Sequence, residues 1–193
     1  MIFDFEEELV LENDRVLLRP VVMEDVSHLQ SIALQEKELL QYSPNAIHTL
    51  ELLKAYIKNA ISLRENKTRY SFIIFDKWKN AYAGSTSFLN ISQDDDRLEI
   101  GATFLGKSFQ RTGLNRNCKY LLLEYAFDHL KAERVELRTD ERNISSRNAI
   151  EKLGARLEGV LRKHMVMFDG YRRNTVCYSI LKEEWALLKT DFL

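Results

Sequence analysis

The chain has 193 residues, 45% of them hydrophobic and 30% charged, which is enough for one well-buried core. Its 28 Lys and Arg against 29 Asp and Glu leave a net charge of −1, so no global field draws it to nucleic acid or to an anionic membrane. Neither is expected as a partner, and no apolar run approaches the roughly 18–20 residues of a membrane span.

The acidic start at Met1–Glu8 lacks the basic and apolar regions of a signal peptide. Cys118 and Cys177 have no metal-ligand spacing and fit a reducing compartment, so a cytoplasmic protein without a metal is expected. Val16-Leu17-Leu18-Arg19-Pro20 reads as a short strand closed by its proline. Met23 to about Leu40 has helical spacing, with Val26, Leu29, Ile32 and Ala33 on one face. Ser43-Pro44-Asn45 breaks the chain, and a second helix runs from about Thr49 to Leu63.

Tyr70–Phe75 and Ala81–Leu89 read as a hairpin around the polar turn Asp76–Asn80. Asp94-Asp95-Asp96 marks a second turn, solvated and without EF-hand spacing, and Leu98–Leu105 is the third consecutive strand. Leu114, Cys118, Leu121, Leu122, Tyr125 and Ala126 then follow a helical period. Arg134–Thr139 alternates as a strand, and Ser145–Leu153 is a short helix that stops at Gly154. Leu161–Phe168 and Thr175–Leu181 flank the turn Asp169-Gly170, and a polar tail follows. The order β-α-α-β-β-β-α-β-α-β-β implies an α/β or α+β fold with a mixed sheet.

The sharpest local feature is Gln110-Arg111-Thr112-Gly113-Leu114-Asn115, between a strand and an amphipathic helix. Helix N-termini present unpaired N–H groups and a partial positive charge, and a glycine there lets backbone approach an anion. Alone, such a glycine is more often just a turn. No Gly-Lys-Ser/Thr triplet is present, and one glycine does not make a dinucleotide fingerprint.

This segment resembles the Gln/Arg-x-x-Gly-x-Gly/Ala signature of the GCN5-related N-acetyltransferase (GNAT) superfamily. Leu98-Glu99-Ile100-Gly101 is similar to the family strand that enters the signature. Asn143-Ile144-Ser145-Ser146 with Glu151-Lys152-Leu153-Gly154-Ala155 resembles its later Asn-x-x-Ser…Glu-Lys-Leu-Gly-Phe segment, and Arg15–Pro20 with Glu24-Asp25 its opening. Glu158–Arg162, Asp169-Gly170 and Tyr178-Ser179-Ile180 look like the branch of the Rim-type ribosomal-protein N-terminal acetyltransferases. The likeness runs from Leu11 to Trp185. It implies a single domain over residues 1–193 with its core at 11–185, and a mixed, mostly antiparallel central sheet with helices on both faces. Two departures stand out. Asn115 replaces the last small residue of the signature, and Ile150 stands where many members carry a tyrosine acid.

The resemblance also implies acetyl-CoA as co-substrate and direct attack by an amine on its thioester. The acceptor would be a protein N-terminus or a small molecule, and a homodimer is an option. An alkylammonium near pKa 10.4 must lose a proton before it attacks. Glu99 is the candidate base, directly or through water; the alternative is a solvated carboxylate on a sheet face. Ser146 is the candidate acid for the leaving thiolate; the alternative is a helix cap. The amides of Arg111–Asn115 would hold the pyrophosphate, with Gln110 beginning the turn, Asn143 touching cofactor or capping, and the backbone of Phe104 and Leu105 pairing with the pantetheine arm. His164 shares a face with Arg162 by alternation and reads as lining the acceptor pocket or as exposed. Cys118 reads as core. Two other functions compete: an antibiotic- or polyamine-type acetyltransferase, and a non-catalytic acyl-CoA-binding module.

Overall fold

A computed structural model describes residues 1–192. In chain order the strands are β1 (Leu11–Glu12), β2 (Val16–Pro20), β3 (Arg69–Asp76), β4 (Ala81–Ser92), β5 (Arg97–Leu105), β6 (Arg134–Asp140), β7 (Arg156–Val166) and β8 (Arg172–Leu181). The helices are α1 (Asp25–Gln35), α2 (Leu50–Glu65), α3 (Leu114–Glu124), α4 (Ile144–Glu151) and α5 (Lys182–Phe192). The strands form one sheet in the order β1-β2-β3-β4-β5-β6-β8-β7. Every pairing is antiparallel except β5 with β6, which α3 connects as a crossover.

Alternation along the central strands sends apolar side chains to both faces, so the sheet is covered twice. On one side Leu29, Ala33, Leu53, Ile57 and Ala60 of α1 and α2 pack on Ile73 and Phe104. On the other side α3, α4 and α5 cover Tyr70, Phe72, Phe88, Leu98, Ile100 and Tyr178. Local chemistry fixes the helix starts. Arg19 clamps Asp25 with two hydrogen bonds of 2.6 and 3.0 Å, and the same carboxylate accepts from the Val22 N–H. Thr49 caps α2 by accepting from the Leu52 N–H.

Four expectations need correction. The predicted polar tail is α5, with Trp185 buried to 3% exposure and its indole N–H donating to Asp128. The first helix ends at Gln35 rather than Leu40; the Glu36 carboxylate turns away to accept from the Lys107 N–H. β7 begins at Arg156, ahead of the expected Leu161, because it is an exposed edge strand without an apolar period. Its register breaks twice, and Lys163 takes φ 50°, so alternation does not carry from Arg162 to His164. His164 is exposed and its ring bonds Thr175. In the acidic N-terminal segment, Phe3, Phe5 and Leu9 are buried, while Arg64 binds the carbonyls of Phe5 and Glu7.

Candidate functional site

The one parallel pairing is short. β5 and β6 are in register only at Arg97↔Arg134, Leu98↔Val135 and Glu99↔Glu136. Beyond Glu99 they part, and the cleft opens at their carboxyl ends, where open α/β sheets take ligands. The turn after β5 leads into α3 and the turn after β6 into α4, so two helix N-termini flank the mouth. Ala102, at φ 47°, forms a bulge in β5: Ser87 pairs with Gly101, and two residues earlier Ser85 already pairs with Phe104. Gly84 lets the strands meet there, since a Cβ on it would lie 2.0 Å from the Phe104 carbonyl oxygen.

The predicted phosphate turn is held from within. Gln110 donates its side-chain amide to the Leu105 carbonyl at 2.8 Å, and the Thr112 hydroxyl donates to the Phe109 carbonyl at 2.7 Å. Arg15, paired with Asp76, reaches the same hydroxyl at 3.4 Å. Gly113 is the residue before α3, at φ 85°, and it offers no side-chain cap. A Cβ there would meet nothing within 4 Å, so the space outside the turn is open. The Asn117 N–H bonds the Gly113 carbonyl at 3.2 Å and so opens the helix. Leu114 is buried in the core, and Asn115 has a buried Oδ1 without a partner. With the amide turned over, its Nδ2 would face that spot as a donor. Arg111 is exposed, at φ 59°. The Leu114 N–H reaches the Thr112 hydroxyl only at 3.5 Å, and a helix start behind a glycine, with open space before it, fits an anion.

Phe104 and Leu105 are buried, and the Leu105 carbonyl is already taken by Gln110. At the other lip Asn143 caps α4, accepting from the Ser146 N–H at 3.0 Å. The cap is thus the asparagine, and Ser146 contributes its backbone only. Ile150 is buried in the core below.

Glu99 sits at the closed end of the cleft and is 5% exposed, which removes the solvated-surface alternative. It accepts from Asn90 Nδ2 at 2.7 Å, and Arg138 Nε lies 3.4 Å away. Burial pushes its carboxyl above the usual range, only partly offset by Asn90 and Arg138. Burial also acts on the adjacent Glu136, yet hydrogen bonds from Arg134 and Arg138 hold that carboxylate below its ordinary value. Two neighbouring carboxyls pushed apart in this way suit a base beside a permanent anion. An open recess of about 420 Å³ lies beside them, lined by Asn90, Ile91, Ser92, Arg97 and Arg138.

Sequence reading missed Asn90 and Arg138, whose signal is spread over two other strands. It also missed Lys119, buried against Thr103 and Thr86. The available signal was position: Lys119 lies one turn from Asn115 and Leu122, at the edge of the apolar stripe of α3.

Residues 15–156 match the family model described as "Acetyltransferase (GNAT) domain". A crystal structure of a GCN5-related N-acetyltransferase from Brucella melitensis superposes with a TM-score of 0.89 at 26% identity, covering 96% of this chain and 84% of that one. The Bacillus subtilis protein named "Putative ribosomal N-acetyltransferase YdaF" is 31% identical over 108 residues, 56% of this chain and 58% of the relative. The ribosomal-protein-S5-alanine acetyltransferase from Vibrio fischeri shares the fold, with a TM-score of 0.72 at 18% identity over 92% of this chain and 98% of its own. By its sequence and its fold, the chain belongs to the GCN5-related N-acetyltransferase (GNAT) family.

Proposed function

We propose that this chain transfers an acetyl group from acetyl-CoA to a primary amine by direct attack, and that the amine is a protein N-terminus. The observation that carries the reading is the parting of β5 and β6, with the start of α3 behind a glycine at its mouth. An anion site beside an opened sheet suits a ligand with a pyrophosphate at one end and an amide-bearing arm at the other.

On this reading the amides of Arg111–Asn115 hold the pyrophosphate, and the strand at Phe104 and Leu105 runs along the arm. Asn143 keeps its Oδ1 on the cap, so only its Nδ2 is left for the cofactor. Glu99 removes the ammonium proton, directly or through water. The amine nitrogen bonds the thioester carbon, the C–S bond breaks, and Ser146 relays the proton that the nitrogen still carries to the departing thiolate. A carboxyl raised by burial is a better base than an ordinary one.

A protein N-terminus is favoured over a polyamine because an α-amino group titrates near 7.7–8.0, so a weak base suffices for it. The name of the B. subtilis relative points the same way. The test is CoA release from acetyl-CoA against N-terminal peptides, polyamines and aminoglycosides. The proposal expects turnover with peptides blocked by prior N-terminal acetylation. Turnover with small amines alone would move the acceptor to that class, and binding without turnover would make the chain a non-catalytic acyl-CoA module.

A further inference from the structure

Lys119 is a lysine where folding alone gives no reason for one. It is 5% exposed, on the face of α3 that packs against the sheet. Its Nζ donates to Thr103 Oγ1 at 2.7 Å and contacts Thr86 Oγ1 at 3.4 Å, and the two hydroxyls lie 2.8 Å from each other. Both partners are neutral. Lysine is rarely buried without a carboxylate, because an uncompensated charge in the interior costs stability that an apolar side chain would not.

The partner's position gives the lysine a use. Ile100 and Leu105 both belong to the core on the α3 side, although they lie five positions apart and unbroken alternation would put them on opposite faces. The bulge at Ala102 has shifted the alternation by one, and the Thr103 hydroxyl meets Lys119 as a result. Thr103 also bonds back across the bulge to the Gly101 carbonyl at 3.3 Å. Lys119 therefore grips the segment of β5 that borders the cleft just past Glu99. Bulges beside active sites re-aim the backbone, and they hold their shape only if something fixes them.

We propose that Lys119 is a positioning residue for acetyl transfer: bonded to Thr103, it fixes the bulged wall of the cleft along which the acyl donor lies. The inference rests on the acetyl-transfer reading above. Burial lowers its ammonium to about 8, with the neighbouring Cys118 opposing only slightly. That thiol is itself raised to about 12 by burial and stays neutral. From β4 and β5, Lys119 meets the hydroxyls of Thr86 and Thr103. The clamp therefore weakens as pH rises through about 8.

The test compares wild type with Lys119→Met, which fills the space without charge. Melting temperature, acetyl-CoA affinity by calorimetry, and kcat across pH are measured on both. The fold prefers the neutral lysine, so its ionisation costs most below about 8, and the cost fades toward the ordinary 10.5. Lys119→Met should thus melt at or above the wild-type temperature at neutral pH. Its kcat should fall about tenfold or more at neutral pH, while acetyl-CoA affinity changes by less than about threefold. The wild-type decline in kcat above pH 8 should be absent from the variant. A folded Lys119→Met with wild-type kcat and pH profile overturns the proposal. Should that variant not fold, Thr103→Val removes the same bond, and a folded Thr103→Val with normal kcat overturns it equally. If wild type turns over no amine, the acetyl-transfer reading itself fails and this inference falls with it.

Discussion

Glu99 and Glu136 are register partners on two parallel strands, yet they meet different surroundings. Glu136 lies between two guanidiniums, while Glu99 is buried with one amide donor and a more distant arginine. The fold favours protonated Glu99, so its stabilising share is full below the unfolded value and is lost as pH rises through its raised folded value. Activity runs in the opposite sense, because the base works only when ionised. Turnover should rise with pH along a limb set above the ordinary carboxylate range near 4.3. Glu99→Gln should cost at least about 100-fold in kcat at neutral pH, partly recovered at high pH as the amine becomes neutral by itself. Wild-type kcat for this variant at every pH would remove Glu99 from the mechanism. Ser146 is separable from the cap. Asn143→Ala should cost about 1 kcal/mol of stability, whereas Ser146→Ala should leave the melt nearly unchanged and lower kcat more than acetyl-CoA affinity. Thermal melts beside steady-state kinetics on the two variants distinguish these roles. At this scale the sequence offered Glu99 as a candidate but could not tell whether it was solvated, since Asn90 and Arg138, which enclose it, come from other strands.

At the scale of elements, strands with clean alternation and helices with clear stops were legible. Tyr70–Phe75, Arg134–Thr139 and the α2 start near Thr49 all lie where residue spacing and chain breaks put them. Elements that depend on tertiary contact were not legible. α5 is short and charged, and it takes its apolar contacts from elsewhere: Trp185 stacks on Phe127 at 5.8 Å, and Lys189 pairs with Glu124 and Asp128. Nothing local marks such a segment as helix. The N-terminal segment was hidden by its acidic residues, though Phe3 packs edge-on against Tyr70 and Phe88. β7 lacked a period because both its faces are exposed. The contacts of α5 make a prediction: Trp185→Ala should destabilise the protein by about 3–5 kcal/mol, read from denaturant unfolding. A loss under about 1 kcal/mol would mean that α5 merely rests on the surface.

Across the whole molecule, the site exists because one sheet changes its pairing. Seven strand pairs form the ladder among the described residues, and the single parallel pair ends after three residues although β5 runs on to Leu105 and β6 to Asp140. The element order in the sequence already implied a parallel pair, and the lone glycine marked the turn. The length of the pairing and the bulge at Ala102 had no sequence signal, because both arise from strands distant in the chain meeting at Gly84 and Phe104. On the reading proposed here, the cleft between β5 and β6 takes acetyl-CoA with its pyrophosphate at Gly113. The most direct test is calorimetric titration of acetyl-CoA into wild type and Gly113→Val, both verified as folded. The substitution meets no protein atom, but it strains a left-handed residue by about 1–2 kcal/mol and puts a side chain where the phosphates would sit. Wild type should bind saturably and the variant should lose about tenfold or more in affinity; equal affinity in the two folded proteins would rule this site out.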